Sequence, residues 1–282
     1  MRRRLDLSGA IVLITGAGQG IGREIVLETL RRGGIAVAVE INPESARKIE
    51  TEIGGQGTVH IADVCDAAAM AAVARDTIQR YGGIDVVIAN AGIERVAPVQ
   101  DMDPADFEAV IETNIMGVYR TIKPALDSVI ARNGHVIAIS SVAGLIPFPL
   151  AAAYSASKAA VDMMMRVIRM ELSGTGASAG AAYFGFVQTR MADRIFSDPV
   201  IARAIARIPS RLLGIRPLPT PHQVAVIILN GAERRRARVF APRMVGITFL
   251  LRGVYALFDT LISGKVMRLD KLIDELRAAN RK

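Results

Sequence analysis

The sequence predicts an α/β fold, a doubly wound parallel sheet with helices on both faces. Three observations carry this. Apolar strand-like runs alternate with helical patterns from the start of the chain, joined by short links. The runs are near-continuous Val, Ile and Ala, the composition of strands covered on both faces. A glycine-rich turn, Thr15-Gly16-Ala17-Gly18-Gln19-Gly20-Ile21-Gly22, joins the first run to the first helical pattern. A length of 282 residues suffices for one large domain with a substantial core.

Strands are expected at 10–14, 35–40, 58–61, 84–89, 135–140 and 177–183, with a last one at 239–241. Helices are expected between them at 21–32, 43–53, 67–81, 104–131 and 152–172. Residues 189–219 read as a mobile lid, in which Met191, Ile195, Phe196, Ile201, Ile205 and Leu212 give an apolar helical face among arginines. The division expected is 1–242 for the sheet-bearing domain and 243–282 for a basic, apolar helical extension, with 265–282 as a final polar amphipathic helix.

Composition removes several function classes. The single cysteine, Cys65, rules out an intrachain disulfide, and no cysteine-based metal site is suggested. His60, His135 and His222 are too scattered for metal ligation, so no metal is expected. The net charge of +8 is segregated: residues 1–233 hold 23 basic and 23 acidic side chains, and residues 234–282 hold 12 basic and 4 acidic. A basic segment on a neutral body calls for an anionic partner or a membrane surface. No aromatic-interleaved basic stripe accompanies it, and nucleic acid is not expected. The apolar run after the basic start is too short for a leader peptide, so a cytoplasmic chain is expected.

Six places in the sequence carry chemistry. In the glycine turn the useful set is Gly16, Gly20 and Gly22, with Gln19 and Ile21 between them. Residues without Cβ let backbone approach a pyrophosphate, and the helix start supplies N–H donors and a positive dipole. Glu40 ends the second strand, 20 residues after Gly20. An acid there accepts hydrogen bonds from adenosine ribose hydroxyls and repels a 2′-phosphate, or merely solvates a strand end. Neither Gln19 nor Ile41 is basic, which favours NAD over NADP. Asp63, beside Val64, ends the third strand and either meets the adenine or precedes the helix capped by Asp66. Asn90, Ala91 and Gly92 end the fourth strand, where Asn90 either meets the cofactor or bridges strand ends. Asn114 is a poor helix-interior residue, and its place within 104–131 hints at a kink or a bound water. Finally, Tyr154 and Lys158 stand four apart on one helical face, after Ser140 and Ser141. A phenol titrates near ~10, and an ammonium held close lowers that value and makes it a proton donor and acceptor.

Together these motifs resemble the short-chain dehydrogenase/reductase family: TGxxxGxG at 15–22, NAG at 90–92, Asn114, Ser141 and YxASK at 154–158, in matching order over roughly 6–242. The resemblance implies a Rossmann-type sheet of about seven strands, carrying here a helical C-terminal extension. It also implies a nicotinamide cofactor, a homodimer or homotetramer, and an Asn114–Ser141–Tyr154–Lys158 tetrad. In that scheme Tyr154 is the general acid/base, Ser141 hydrogen-bonds the substrate oxygen, and Asn114 holds a water connecting Lys158 to solvent. Lys158 lowers the Tyr154 pKa and reaches the nicotinamide ribose. Thr189 resembles the threonine that meets the nicotinamide amide. One departure is that Phe184-Gly185 stands where the family usually shows Pro-Gly.

The apolar segment 145–150, with Leu145 and Phe148, and the apolar face of the lid suggest a bulky hydrophobic alcohol or ketone, such as a steroid, retinoid or lipid, with Phe184 and Phe186 as further candidate substrate contacts. Ordinary core packing is the other reading. The expected function is NAD-dependent oxidoreduction of such a substrate. The alternatives are an NADPH-dependent ketone or ketoacyl reductase and a non-catalytic, membrane-associated dinucleotide-binding scaffold. In the extension, residues 244–262 carry only Arg252 and Asp259 as charges. The segment 234–268 reads as an interfacial helix on an anionic membrane, as a helix covering the pocket or a subunit interface, or, against the cost of a central Arg252, as a span.

Overall fold

The structure, a computed structural model, describes residues 4–197, 202, 218–242, 244–257 and 269–280. Seven strands form one parallel sheet: β1 (Ile11–Thr15), β2 (Ile35–Glu40), β3 (Gly57–Ile61), β4 (Val86–Ala89), β5 (His135–Ile139), β6 (Ser178–Phe184) and β7 (Arg238–Ala241). Their order is β3-β2-β1-β4-β5-β6-β7, with every neighbouring pair parallel. The winding reverses between β1 and β4, which opens a crevice beyond the carboxyl ends of those strands.

The side-chain alternation of the strands feeds two cores. One face packs Val12, Ile14, Ala36 and Ile88 against α1 (Gly20–Arg31), α2 (Pro43–Ile53) and a helix at Pro221–Glu233. The other packs Leu13, Val37, Val87 and Val136 against α3 (Ala67–Tyr81) and α7 (Ala152–Glu171). The ends of α2 and α3 are set by local chemistry. Asn42 accepts from Ser45 N–H and Asp66 from Ala68 and Ala69 N–H, while Gly54 and Gly82 close the helices at φ 55° and 76°.

The helix expected at 104–131 is broken. It runs as α4 (Pro104–Ile111), a π-helical turn at Glu112–Met116, α5 (Gly117–Ile122), a 3₁₀ turn at Lys123–Ala125 and α6 (Leu126–Ala131). The π turn forms where Asn114 turns its amide onto Ile93, and the 3₁₀ turn contains Pro124, which has no N–H to donate. The sequence reading missed the helix Pro221–Glu233, here α9. A capping box between Thr220 and Gln223, with Pro221 in the first turn, starts it.

Of the lid, α8 (Arg190–Ser197) is a helix; Ile201, Ile205 and Leu212 lie outside the described residues. The extension holds α10 (Val245–Ala256) and α11 (Leu269–Asn280). The first packs Phe249 on Tyr183 and Phe240, with centroids 5.8 and 5.7 Å apart. The second is tied to the body by Arg277, which donates to Asp101 at 2.8 Å and to Gln100 at 2.8 Å. Among the described residues no helix is long and apolar enough to cross a membrane.

Candidate active site

A cleft of about 1020 Å³ opens at the crevice beside β1 and β4. The glycine turn forms one wall, and its glycines are required by close approach. A Cβ on Gly22 would lie 2.0 Å from the Gly16 carbonyl oxygen. Gly16 itself has φ 62°, and its Cβ would lie 2.9 Å from Ala91 Cα. The helix α1 begins at Gly20 with no side-chain cap and no acid in its first turn, so its N–H donors are left to a ligand. The same test holds deeper in the cleft: a Cβ on Gly92 would fill the space 3.1 Å from Asn114 Oδ1 and 3.4 Å from Lys158 Nζ. These open positions fit a dinucleotide laid along the turn.

Glu40 is buried at the end of β2. Its carboxylate accepts from Gly18 N–H at 2.8 Å and Asn42 N–H at 3.0 Å, which fixes it at the rim of the turn. Asp63 accepts from Cys65 N–H at 2.8 Å, and Val64 sits beside it in the wall. Asn90 braces the turn: its amide donates to the Thr15 and Gly16 carbonyls at 2.9 and 3.2 Å. Of its two expected roles, the structure shows the bridging one. Thr189 lies across from Gly20 and accepts from Ala192 N–H at the start of α8. Gln19, Ile21 and Ala91 also line the cleft.

The floor is built by α7 and β5. Lys158 is buried, donates to the Ile139 carbonyl at 2.9 Å, and lies 5.5 Å from the Tyr154 ring centroid. Ser140 donates to the Lys158 carbonyl at 2.8 Å, a structural bond, while Ser141 donates to the Phe184 carbonyl at 3.4 Å and accepts from Ala143 N–H at 3.1 Å, with its hydroxyl on the Tyr154 side of the cleft. Asn114 lies beneath the floor rather than in the cleft. Its amide accepts from Ile93 N–H, donates to the Ile93 carbonyl and donates to Ser157 Oγ at 3.0 Å, and Ser157 in turn donates to the Tyr154 carbonyl at 2.7 Å.

The electrostatics differ from the expectation in one respect. Burial pushes the Tyr154 phenol up to about 12, Glu94 adds to the rise, and the Ser141 hydroxyl opposes it. Burial also brings the Lys158 ammonium down to about 8. In this arrangement the Lys158 ammonium is turned to the Ile139 carbonyl, and burial outweighs its pull on the Tyr154 phenol.

The apolar end of the cleft holds Phe148, Phe184 and Phe186, with Phe148 edge-on to Phe186 at 5.7 Å and Phe186 against Phe196 of α8 at 5.0 Å. Leu145 is not there. It follows the 3₁₀ turn Val142–Gly144, donates its N–H to the Val142 carbonyl and is buried in the core, and Ile146 faces the cleft instead. Among the lining residues that escaped the sequence reading are Glu94 and Arg95. Glu94 follows the NAG element, and burial raises its carboxyl to about 7 against the opposing charges of Arg194 and Arg95. An acid and an arginine just past a strand end at the crevice were the signal available.

Comparisons with known proteins agree with this geometry. The family pattern described as short chain dehydrogenase matches residues 10–199. A 3-oxoacyl-[acyl-carrier-protein] reductase of Thermotoga maritima is 34% identical over 249 residues, covering 86% of this chain and 98% of that protein. The oxidoreductase UcpA of Escherichia coli K12 is 33% identical over 225 residues, covering 77% and 85%. Among solved structures, a short-chain dehydrogenase/reductase of Burkholderia phymatum in complex with NAD superposes with a TM-score of 0.78 at 22% identity, over 90% of this chain and 96% of that one.

Proposed function

The chain belongs to the short-chain dehydrogenase family, oxidoreductases of the nicotinamide-dependent kind, and from that premise we propose that it moves hydride between NAD(H) and a hydrophobic secondary alcohol or ketone. The observation that carries the reading is the floor of the cleft: Ser141, Tyr154 and Lys158 line it together, with the Lys158 ammonium 5.5 Å from the Tyr154 ring centroid, next to an uncapped helix start.

When bound, the nicotinamide supplies or accepts the hydride at the carbinol carbon. The protein does the rest. In the oxidative direction Tyr154 takes the alcohol proton, and in the reductive direction it returns one to the carbonyl oxygen. Ser141 hydrogen-bonds that oxygen and holds it against the phenol. Lys158 would hold the nicotinamide ribose, and its positive charge beside the Tyr154 ring favours the phenolate. Asn114 sets the floor by fixing Ile93 and Ser157 and, with a bound water, links Lys158 to solvent. The glycine turn and the start of α1 would hold the pyrophosphate, and Thr189 the nicotinamide amide. General acid–base help of this kind is worth ~10²–10⁴ in rate.

The preference for NAD rests on Glu40. Its carboxylate is fixed by two backbone N–H groups at the rim of the glycine turn, and its charge there would disfavour a 2′-phosphate. Two of the cleft cations are already paired, Arg23 with Glu52 at 2.8 Å and Lys48 with Glu44 at 2.6 Å. The substrate class rests on the Phe148–Phe186–Phe196 cluster. A second reading, NADPH-dependent reduction of a ketone on an acyl carrier, is favoured by the Thermotoga relative, named as a 3-oxoacyl-[acyl-carrier-protein] reductase.

A panel of hydrophobic alcohols and ketones, followed by nicotinamide absorbance with NAD(H) and NADP(H) in parallel, tests both. Turnover is expected with NAD(H) on bulky secondary alcohols or their ketones, and Glu40→Ala is expected to reduce the NAD preference. An unchanged preference in Glu40→Ala would remove the role given to Glu40, and turnover confined to NADPH and acyl-carrier ketones would establish the second reading.

A further inference from the structure

The helix α10 is inside out. The side it turns to the protein holds buried Val245 and Thr248, together with Phe249 and Arg252. Arg252 stacks on Phe249 with 4.7 Å to the ring centroid and donates to Asp162 at 3.4 Å, a carboxylate that also accepts from the Tyr183 phenol. The side it turns outward is Ile247, Leu250, Leu251, Val254 and, just past the helix, Leu257. These are spaced as one helical stripe and all are exposed, with Leu250 and Leu257 80% exposed. The one charge within the helix therefore faces the body, and its leucines face away from it. Such a stripe on a surface helix calls for a covering partner.

We propose that α10 is a docking helix that lays this stripe into the surface of an anionic lipid bilayer. The charge of the chain selects that occupant. Residues 234–282 hold 12 basic and 4 acidic side chains, while the remainder sums to zero. The helix doubles back along β7: Val245 donates to the Pro242 carbonyl, and Phe249 lies under Arg238, 4.4 Å from its guanidinium carbon. The stripe thus runs toward the end of β7 that carries exposed Arg234 and Arg236. Apolar side chains entering the headgroup boundary beside arginines are the two components of interfacial binding to anionic lipid. A second copy of the chain on the same face would set two such basic segments against each other. An acidic carrier protein would satisfy the charge but would need an exposed apolar face of its own to cover the leucines. The described helix that follows does not supply the cover either, since α11 is committed to Asp101 and Gln100 through Arg277. The contact is peripheral, because no described helix is long and apolar enough to cross a bilayer. It is independent of the reaction assigned to the cleft, and it places the enzyme where hydrophobic substrates dissolve.

Co-sedimentation of the full-length protein with vesicles tests this. The probes are phosphatidylcholine vesicles with and without phosphatidylglycerol, at low and high salt. The expected result is sedimentation with the anionic vesicles, weakened by salt, and a partition coefficient at least about tenfold lower in L250E/L257E, because two buried leucines are lost and two like charges are added. Both positions are exposed, so the fold and the cleft chemistry of the variant remain, checked by its melting temperature and its turnover. No sedimentation with anionic vesicles overturns the proposal. Sedimentation undiminished in L250E/L257E overturns it as well, because another surface then binds. If light scattering shows the double variant at a lower oligomeric state than wild type, with neither binding vesicles, the face belongs to a second copy and the proposal fails.

Discussion

Two side chains of the cleft titrate against each other. Burial raises the Glu94 carboxyl to about 7 from an ordinary 4.5, and the charge it gains above that pH contributes to the rise of the Tyr154 phenol to about 12. Replacing Glu94 by Gln removes the charge and keeps the volume. The apparent pKa of alcohol oxidation attributed to Tyr154, read from the pH profile of kcat/KM, is expected to fall in Glu94→Gln; an unmoved or higher value would contradict the coupling. Stability gives a second readout of the same residue. A carboxyl whose pKa is higher in the fold than in the unfolded chain stabilises the fold fully below 4.5 and loses that contribution as pH rises toward about 7. The melting temperature of Glu94→Gln is therefore expected to gain on wild type between pH 4.5 and 7. A difference independent of pH would contradict this.

At the scale of elements, the decisive junction is β1 to α1. A methyl on Gly22 would meet the Gly16 carbonyl at 2.0 Å, and that contact is backbone, with no side chain to swing aside. Gly22→Ala is expected to displace the start of α1 and weaken dinucleotide binding by at least about tenfold, the scale of one displaced strong contact. Titration calorimetry giving wild-type affinity would contradict it. This junction was readable in the sequence because its glycines have a steric reason. So were the bounds of α2 and α3, where Asn42 and Asp66 start the helices and Gly54 and Gly82 stop them. The helix α9 was not readable by periodicity, since Val224 to Leu229 is a run of six apolar residues that alternation cannot assign, and only its capping box marks it. The break in 104–131 was half readable: Asn114 pointed to a kink, but its partner Ile93 is 21 residues away and known only from the fold. Leu145 and Ile146 are adjacent and equally apolar, and only the 3₁₀ turn before them decides which one is core.

For the whole molecule, the sheet order puts the ends of β1, β4 and β5 around one crevice, and residues spread from Gly16 to Thr189 meet there. The motifs foretold this convergence because most fall at or just after a strand end; the exceptions are Asn114, in the π turn between α4 and α5, and the Tyr154/Lys158 pair, which α7 carries back over β5. The extension follows a different rule. Its helices pack on the body through Phe249 and Arg277, which the sequence showed only as an aromatic and an arginine in a basic tail. The central claim is that this assembly transfers hydride with Tyr154 moving the proton. The most direct test compares wild type with Tyr154→Phe under saturating substrate, with dinucleotide affinity measured on both. The account predicts turnover in wild type, a fall of ~10²–10⁴ in Tyr154→Phe, and dinucleotide affinities within a few-fold of each other. Turnover retained in Tyr154→Phe would contradict it.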